Sequence, residues 1–147
     1  STFNAKDRVL LLEKADSCLR PGGRLVISLP NPLQTQDILK DLREMNASVS
    51  PELETVITHP RTGFPVQVSS RLRSGQESLM WDWIYDHLRP NGKVARQVVT
   101  VEHFLATREE ITAELEQAGF RDLSCRGSYS GEEYTEISPN LILICQK

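Results

Sequence analysis

At the start of the chain, Val9, Leu12, Ala15 or Asp16, and Leu19 recur at helical spacing, which predicts a helix from Asp7 to Leu19 with one apolar face. Pro21 forbids its continuation, and Gly22-Gly23 supply the positive φ that a reversal needs. Leu25 to Leu29 is apolar apart from Ser28, which predicts a short strand covered on both faces. Helix, Pro-Gly-Gly turn and buried strand in succession are half of a crossover in a parallel sheet, so an α/β fold is expected.

A second helical pattern lies near the other end. Thr107 with Glu110 three residues on is a capping box, and Ile111, Leu115 and Ala118 make a buried stripe. Gly119 falls where a left-handed helix end belongs, and Phe120 can fold back on the last turn. Leu123 to Tyr129 reads as a strand, and Leu141 to Cys145 as an almost wholly apolar last strand, joined by the polar loop Ser130 to Asn140.

Between these ends the period changes. Leu53 to His59 and Val66 to Arg73 are β-type segments separated by the turn-forming Pro60-Arg61-Thr62-Gly63-Phe64-Pro65. Leu79, Trp81, Trp83, Tyr85 and His87 alternate with Met80, Asp82, Ile84, Asp86 and Leu88, putting three large aromatics on one strand face. Asn91-Gly92 marks a turn, after which Val94 to Leu105 returns as a strand. Residues 51–103 are therefore expected to form an inserted antiparallel sheet of three or four strands.

Leu19-Arg20-Pro21-Gly22-Gly23 followed by Arg24-Leu25-Val26-Ile27 resembles the entry to strand five of class I S-adenosylmethionine-dependent methyltransferases. The helix ending Ala118-Gly119-Phe120 resembles the one that leads into strand six of that family, in which a reversed last strand lies between strands five and six. The resemblance covers residues 1–32 and 104–147 and implies the C-terminal half of a Rossmann-like sheet, strands five, six and a reversed seven with flanking helices. Residues 1–50 then hold helix, strand five and the following helix, residues 51–103 the insertion, and residues 104–147 the last helix and two strands. In small-molecule members of the family, such as sugar N-methyltransferases, an insertion after strand five forms a lid over the substrate.

No Gly-rich loop followed by an acidic strand end occurs in the chain; the paired glycines Gly22-Gly23 follow a helix and precede a strand. The expectation is thus a portion of an S-adenosylmethionine-dependent methyltransferase acting on a small molecule at N, O or C, its cofactor-gripping half lying outside this chain. S-adenosylmethionine is the cofactor of the complete enzyme and is not expected to bind this chain alone. The alternative is a non-catalytic, methyltransferase-like binding or dimerisation module. Without strand four, Leu25 to Leu29 would present an open edge that pairs with the missing half or with a second copy, so a homo-oligomer is also expected.

Composition narrows this picture little. With 147 residues, 39% hydrophobic and 25% charged, the chain is large enough for a domain core, and it contains no apolar stretch near the ~20 residues of a membrane helix and no visible signal peptide. A net charge of −3 and the lack of a long Lys/Arg run speak against a nucleic-acid partner. Cys18, Cys125 and Cys145 show no metal-binding spacing and are expected to be buried thiols in a reducing, cytoplasmic compartment, with no metal.

The candidate site residues each carry a plainer reading. Trp81, Trp83 and Tyr85 fit a substrate pocket or ordinary sheet packing. His103 and His59 are candidate general bases or simply strand residues. Asn4 falls where open α/β sheets bind ligands and is the cofactor-contact candidate. The same rule picks out Asn31, flanked by Pro30 and Pro32, for the substrate; Tyr134, with Tyr129 and Glu133, lies in the loop before the last strand and is a further substrate candidate.

Overall fold

A computed structural model describes residues 1–44, 50–76 and 78–147 and divides them into two compact units, Ser1–Ile38 with Phe104–Lys147, and Leu39–His103. The first unit begins with α1 (Ala5–Cys18), whose N-cap Asn4 accepts a hydrogen bond from the backbone N–H of Asp7 at 3.0 Å. Leu12, Ala15 and Leu19 of the expected stripe meet the core, but Val9 is 39% exposed and Arg8 beside it is buried instead. Arg8 turns inward because it makes a two-pronged ion pair with Glu114, at 2.9 and 2.6 Å, that ties α1 to α3 (Arg108–Gln117).

The chain leaves α1 through a turn in which Gly22 has φ +77° and a Cβ on Gly23 would meet the Arg20 carbonyl at 2.8 Å, so both glycines are required by the geometry. It then enters β1 (Arg24–Pro30). The sheet order is β1-β7-β6, with β7 (Asn140–Gln146) antiparallel to both β1 and β6 (Arg121–Arg126). The central position of β7 accounts for its composition, because Leu141, Ile142, Leu143 and Cys145 are all buried. The described residues cover β1 on one face. Leu25, Ile27 and Leu29 pack against the core while Val26 on the opposite face is 58% exposed, the alternation of a strand with one covered face.

Thr107 and Glu110 form the expected capping box, and Ile111 and Leu115 of α3 complete the core with Leu12, Ala106, Phe120, Leu141, Leu143 and Cys145. Gly119, at φ +97°, ends α3 and turns Phe120 back under it. Burying Leu115 and Phe120 contributes about 2 kcal/mol each by transfer from water. β6 is shorter than expected, stopping at Arg126, and Tyr129 beyond it is 80% exposed. Cys145 is buried and Cys125 half-buried, but Cys18 is exposed at the end of α1, against the expectation of three buried thiols.

The boundary between the units falls within α2 (Pro32–Glu44). The second unit is a sheet of order β2-β3-β4-β5, formed by Glu52–Thr58, Pro65–Ser74, Ser78–Leu88 and Val94–Phe104. β3 pairs antiparallel with β2 and with β4. The β4–β5 side-chain contacts pair Asp86 with Arg96 and Asp82 with Thr100, so those strands also run in opposite directions. Register places Val66, Val68, Ser70 and Leu72 opposite His87, Tyr85, Trp83 and Trp81, which makes one face the aromatic face. Ser69, Arg71 and Arg73 lie opposite Ile84, Asp82 and Met80 on the other.

Candidate functional site

Directly beyond the carboxyl end of β1, Asn31 is 1% exposed and has all its side-chain hydrogen-bonding capacity engaged. Its amide nitrogen donates to the carbonyls of Thr135, Glu136 and Ser138 at 3.4, 2.8 and 2.8 Å. Its amide oxygen accepts from the backbone N–H of Leu33 at 3.1 Å and from the Tyr134 hydroxyl at 2.7 Å. One side chain thus joins the end of β1, the start of α2 and the loop before β7. That loop closes tightly over Gly127, where a Cβ would run into Ser138 and lie 2.8 Å from the Glu133 carbonyl. Burial holds the Tyr134 phenol above its ordinary pKa, so it remains the protonated donor this contact needs.

Beside this junction is a cleft of about 270 Å³ lined by Pro32, Leu33 and Gln36 of α2, by Thr107, Arg108 and Glu109 at the start of α3, and by Tyr134. Ligands of open α/β sheets collect beyond the carboxyl ends of the strands, which is where this cleft sits relative to β1. The Arg108 guanidinium stands 6.0 Å from the centre of the Tyr134 ring. Thr107 and Glu110 are spent on each other in the capping box. What remains to meet a ligand is the Gln36 amide, Arg108, Glu109 and the Tyr134 ring, a set suited to recognition rather than bond-making.

In the second unit, the aromatic face of β4 carries Trp81 and Trp83 with stacked rings 5.0 Å apart, and His103 tilted 6.0 Å from Trp81. The indole nitrogen of Trp81 is buried and has no hydrogen-bond partner among the described residues. Burial lowers the His103 pKa, favouring the neutral imidazole. On the opposite face, Asp82 is 1% exposed and accepts from Arg71 at 2.8 Å, from two nitrogens of Arg73 at 2.8 Å, and from the Thr100 hydroxyl at 2.7 Å. The Arg73 hydrogen bonds above all hold its carboxyl well below the usual carboxylate range. At the hairpin tips, His59 and His87 meet edge to face at 5.8 Å in a hollow of about 500 Å³ that Phe64 and Arg89 also line. The His59 Nδ1 accepts from the backbone N–H groups of Arg61 and Thr62, both at 3.3 Å, which places the neutral ring's proton on Nε2.

The structure therefore brings Asn31 and Tyr134 together, as it does Trp81, Trp83 and His103. Tyr85 shares the Trp83 face. His59 is held by its own turn. Asn4 is spent on capping α1, its amide oxygen on the Asp7 N–H and its amide nitrogen on the Asp7 carboxylate at 2.8 Å. Arg108 and Gln36 escape a reading by sequence; the only hint for Arg108 was its place after the Thr107 cap. No three His, Cys, Asp or Glu side chains converge to hold a metal among the described residues. Asn31, the residue following β1, is committed to protein groups, and the positive-φ Gly22 precedes that strand.

No family profile matches the sequence, and no curated protein matches it by sequence. Solved structures do match its fold. An S-adenosylmethionine-dependent methyltransferase from Clostridium acetobutylicum superposes with a TM-score of 0.68 at 10% identity, over 97% of this chain and 52% of that one. The sugar N-methyltransferase KedS8 of Streptoalloteichus gives 0.68 at 14% identity, over 99% and 51%. An amino pentose methyltransferase of Micromonospora echinaspora, solved with S-adenosylmethionine bound, gives 0.60 at 14%, over 98% and 52%. The chain thus has the fold of part of an S-adenosylmethionine-dependent methyltransferase and spans about half the length of the structures it matches.

Proposed function

We propose that this chain is the acceptor-side portion of a small-molecule methyltransferase, in which another part of the parent protein grips S-adenosylmethionine and transfers its methyl group to N, O or C. The observation that carries this reading is the superposition of almost the whole chain on about half of each methyltransferase above. Asn31 serves as a positioning residue, fixing Tyr134 at the cleft where Gln36 and Arg108 meet the acceptor. The four-stranded sheet takes the role of a substrate lid, with Trp81, Trp83 and Tyr85 offering an apolar wall. β1 has β7 as its one sheet neighbour among the described residues, and its other edge receives a strand from the cofactor-binding part.

A non-catalytic binding module is the second reading, supported by a cleft whose Gln36, Arg108 and Tyr134 side chains suit recognition. The two readings separate on the natural product. Its intact mass is expected to exceed 16.6 kDa, and the purified protein to transfer methyl groups from S-adenosylmethionine to at least one member of a panel of amines, amino sugars and hydroxylated metabolites. A longer protein that binds S-adenosylmethionine yet methylates none of them would favour the module; one that fails to bind it at all would refute the enzyme reading.

A further inference from the structure

The β2–β3 and β4–β5 turns share one end of the four-stranded sheet, because Val66 pairs with Ile57 on one side and with His87 on the other. Each turn is closed by its own backbone. The N–H of His59 donates to the Phe64 carbonyl and that of Gly63 to the His59 carbonyl, both at 2.9 Å. The N–H of Arg89 donates to the Lys93 carbonyl at 2.8 Å, and Gly92, at φ +75°, donates to the Arg89 carbonyl at 2.9 Å. The hollow of about 500 Å³ lined from both turns is thus held by backbone hydrogen bonds, and its size falls in the range of small-molecule sites.

Its wall favours one sign of charge. No carboxylate lines it among the described residues. Arg96 is balanced by Asp86, which accepts from it at 2.8 and 2.7 Å, whereas the exposed Arg89 has no carboxylate partner among the described residues. The Nδ1 of His59 is taken by the backbone N–H groups of Arg61 and Thr62, so its Nε2 is an N–H donor whether the ring is neutral or charged. A general base or a metal would need that nitrogen unprotonated; an anion needs the donor. Phe64, Leu88 and Pro90 add apolar surface to the same wall. A guanidinium fork matches a carboxylate, and apolar surface suits a hydrocarbon body better than the hydrated oxygens of a phosphate dianion.

We infer that this hollow binds a small organic carboxylate with an apolar body, its charge held by Arg89 and the Nε2–H of His59 and its body against Phe64. The site lies within the four-stranded sheet, and the inference stands apart from the proposed methyl transfer. The probe is phenylacetate, titrated into the 147-residue chain without S-adenosylmethionine and followed by amide NMR shifts and calorimetry. Saturable binding with a Kd of about 1 mM is expected for a ligand of this size, with shift changes confined to residues 59–64 and 87–97. Arg89→Gln, a change at an exposed position that leaves the sheet folded, is expected to weaken binding about tenfold. His59→Asn, whose side-chain oxygen can still accept from the turn while the Nε2 donor is gone, should weaken it about fivefold. Phenethylamine, which carries a cation on the same ring, is expected not to bind, and inorganic phosphate to bind about tenfold more weakly than phenylacetate. The inference is overturned by no saturable binding, by shifts centred elsewhere, or by phenethylamine or phosphate binding as well as phenylacetate. An Arg89→Gln protein that binds like the wild type would overturn it too.

Discussion

The two units of this chain are stabilised in different ways. In the first, α1 and α3 bury an apolar cluster with β7 at its centre, and an ion pair between Arg8 and Glu114 ties the helices at the border of that cluster. In the second, both outer strands are largely exposed, and a buried carboxylate on β4 gathers two guanidinium groups and a hydroxyl from β3 and β5. Apolar burial is non-directional and tolerates repacking. A buried charge is directional, and its loss leaves its partners uncompensated. Damage to the first unit should therefore scale with the volume its core loses, and damage to the second should centre on one charged residue.

Leu115→Ala is expected to be the most damaging single change, costing about 3–4 kcal/mol through a cavity at a fully buried site, with hydrogen-exchange protection lost in α3 and β7 before the four-stranded sheet. Asp82→Ala comes next, at about 3 kcal/mol, reduced from the full buried-pair cost because Arg71 and Arg73 are about a third exposed and water can reclaim them. Its protection loss should be confined to β3, β4 and β5, and the reverse pattern would break the contrast. Asn31→Ala is expected to cost about 2 kcal/mol and to release the loop before β7, seen as faster proteolysis within residues 127–138.

The smallest effects are on pH dependence. Asp82 has a folded pKa below its unfolded value, so its stabilisation is complete above the ordinary carboxylate range near pH ~4 and is lost as pH falls through the folded value. Denaturant midpoints of the wild type should fall below pH ~4, more steeply than those of Asp82→Asn. His103 is also lowered, by burial, which favours its neutral form; folding then loses stability as pH falls through ~6.5, the unfolded value. His103→Gln should flatten that slope.

The same contrast explains what could be read from the sequence. The α3 cap, its glycine end and the aromatic row on β4 are local patterns, decided by neighbours within a few positions, and they appear as expected. One position of the α1 stripe, Val9, was misread because Arg8, polar by composition, is drawn inward by a glutamate 106 positions away. The apolar run of β1 reports what the strand tolerates on both faces, while this chain supplies cover for one of them. Asn31 could be placed at a strand end, but its partners lie 103 to 107 positions away, and only the folded loop reveals them. Asp82 was legible as one member of a mixed face; its role depends on the β3–β4 register that sets Arg71 opposite it.

Titration calorimetry with S-adenosylmethionine tests the central claim most directly, that this chain is one portion of a methyltransferase whose cofactor grip lies elsewhere. The account predicts no heat of binding for the 147-residue chain and saturable binding for the longer parent protein. Saturable micromolar binding to the isolated chain would contradict it.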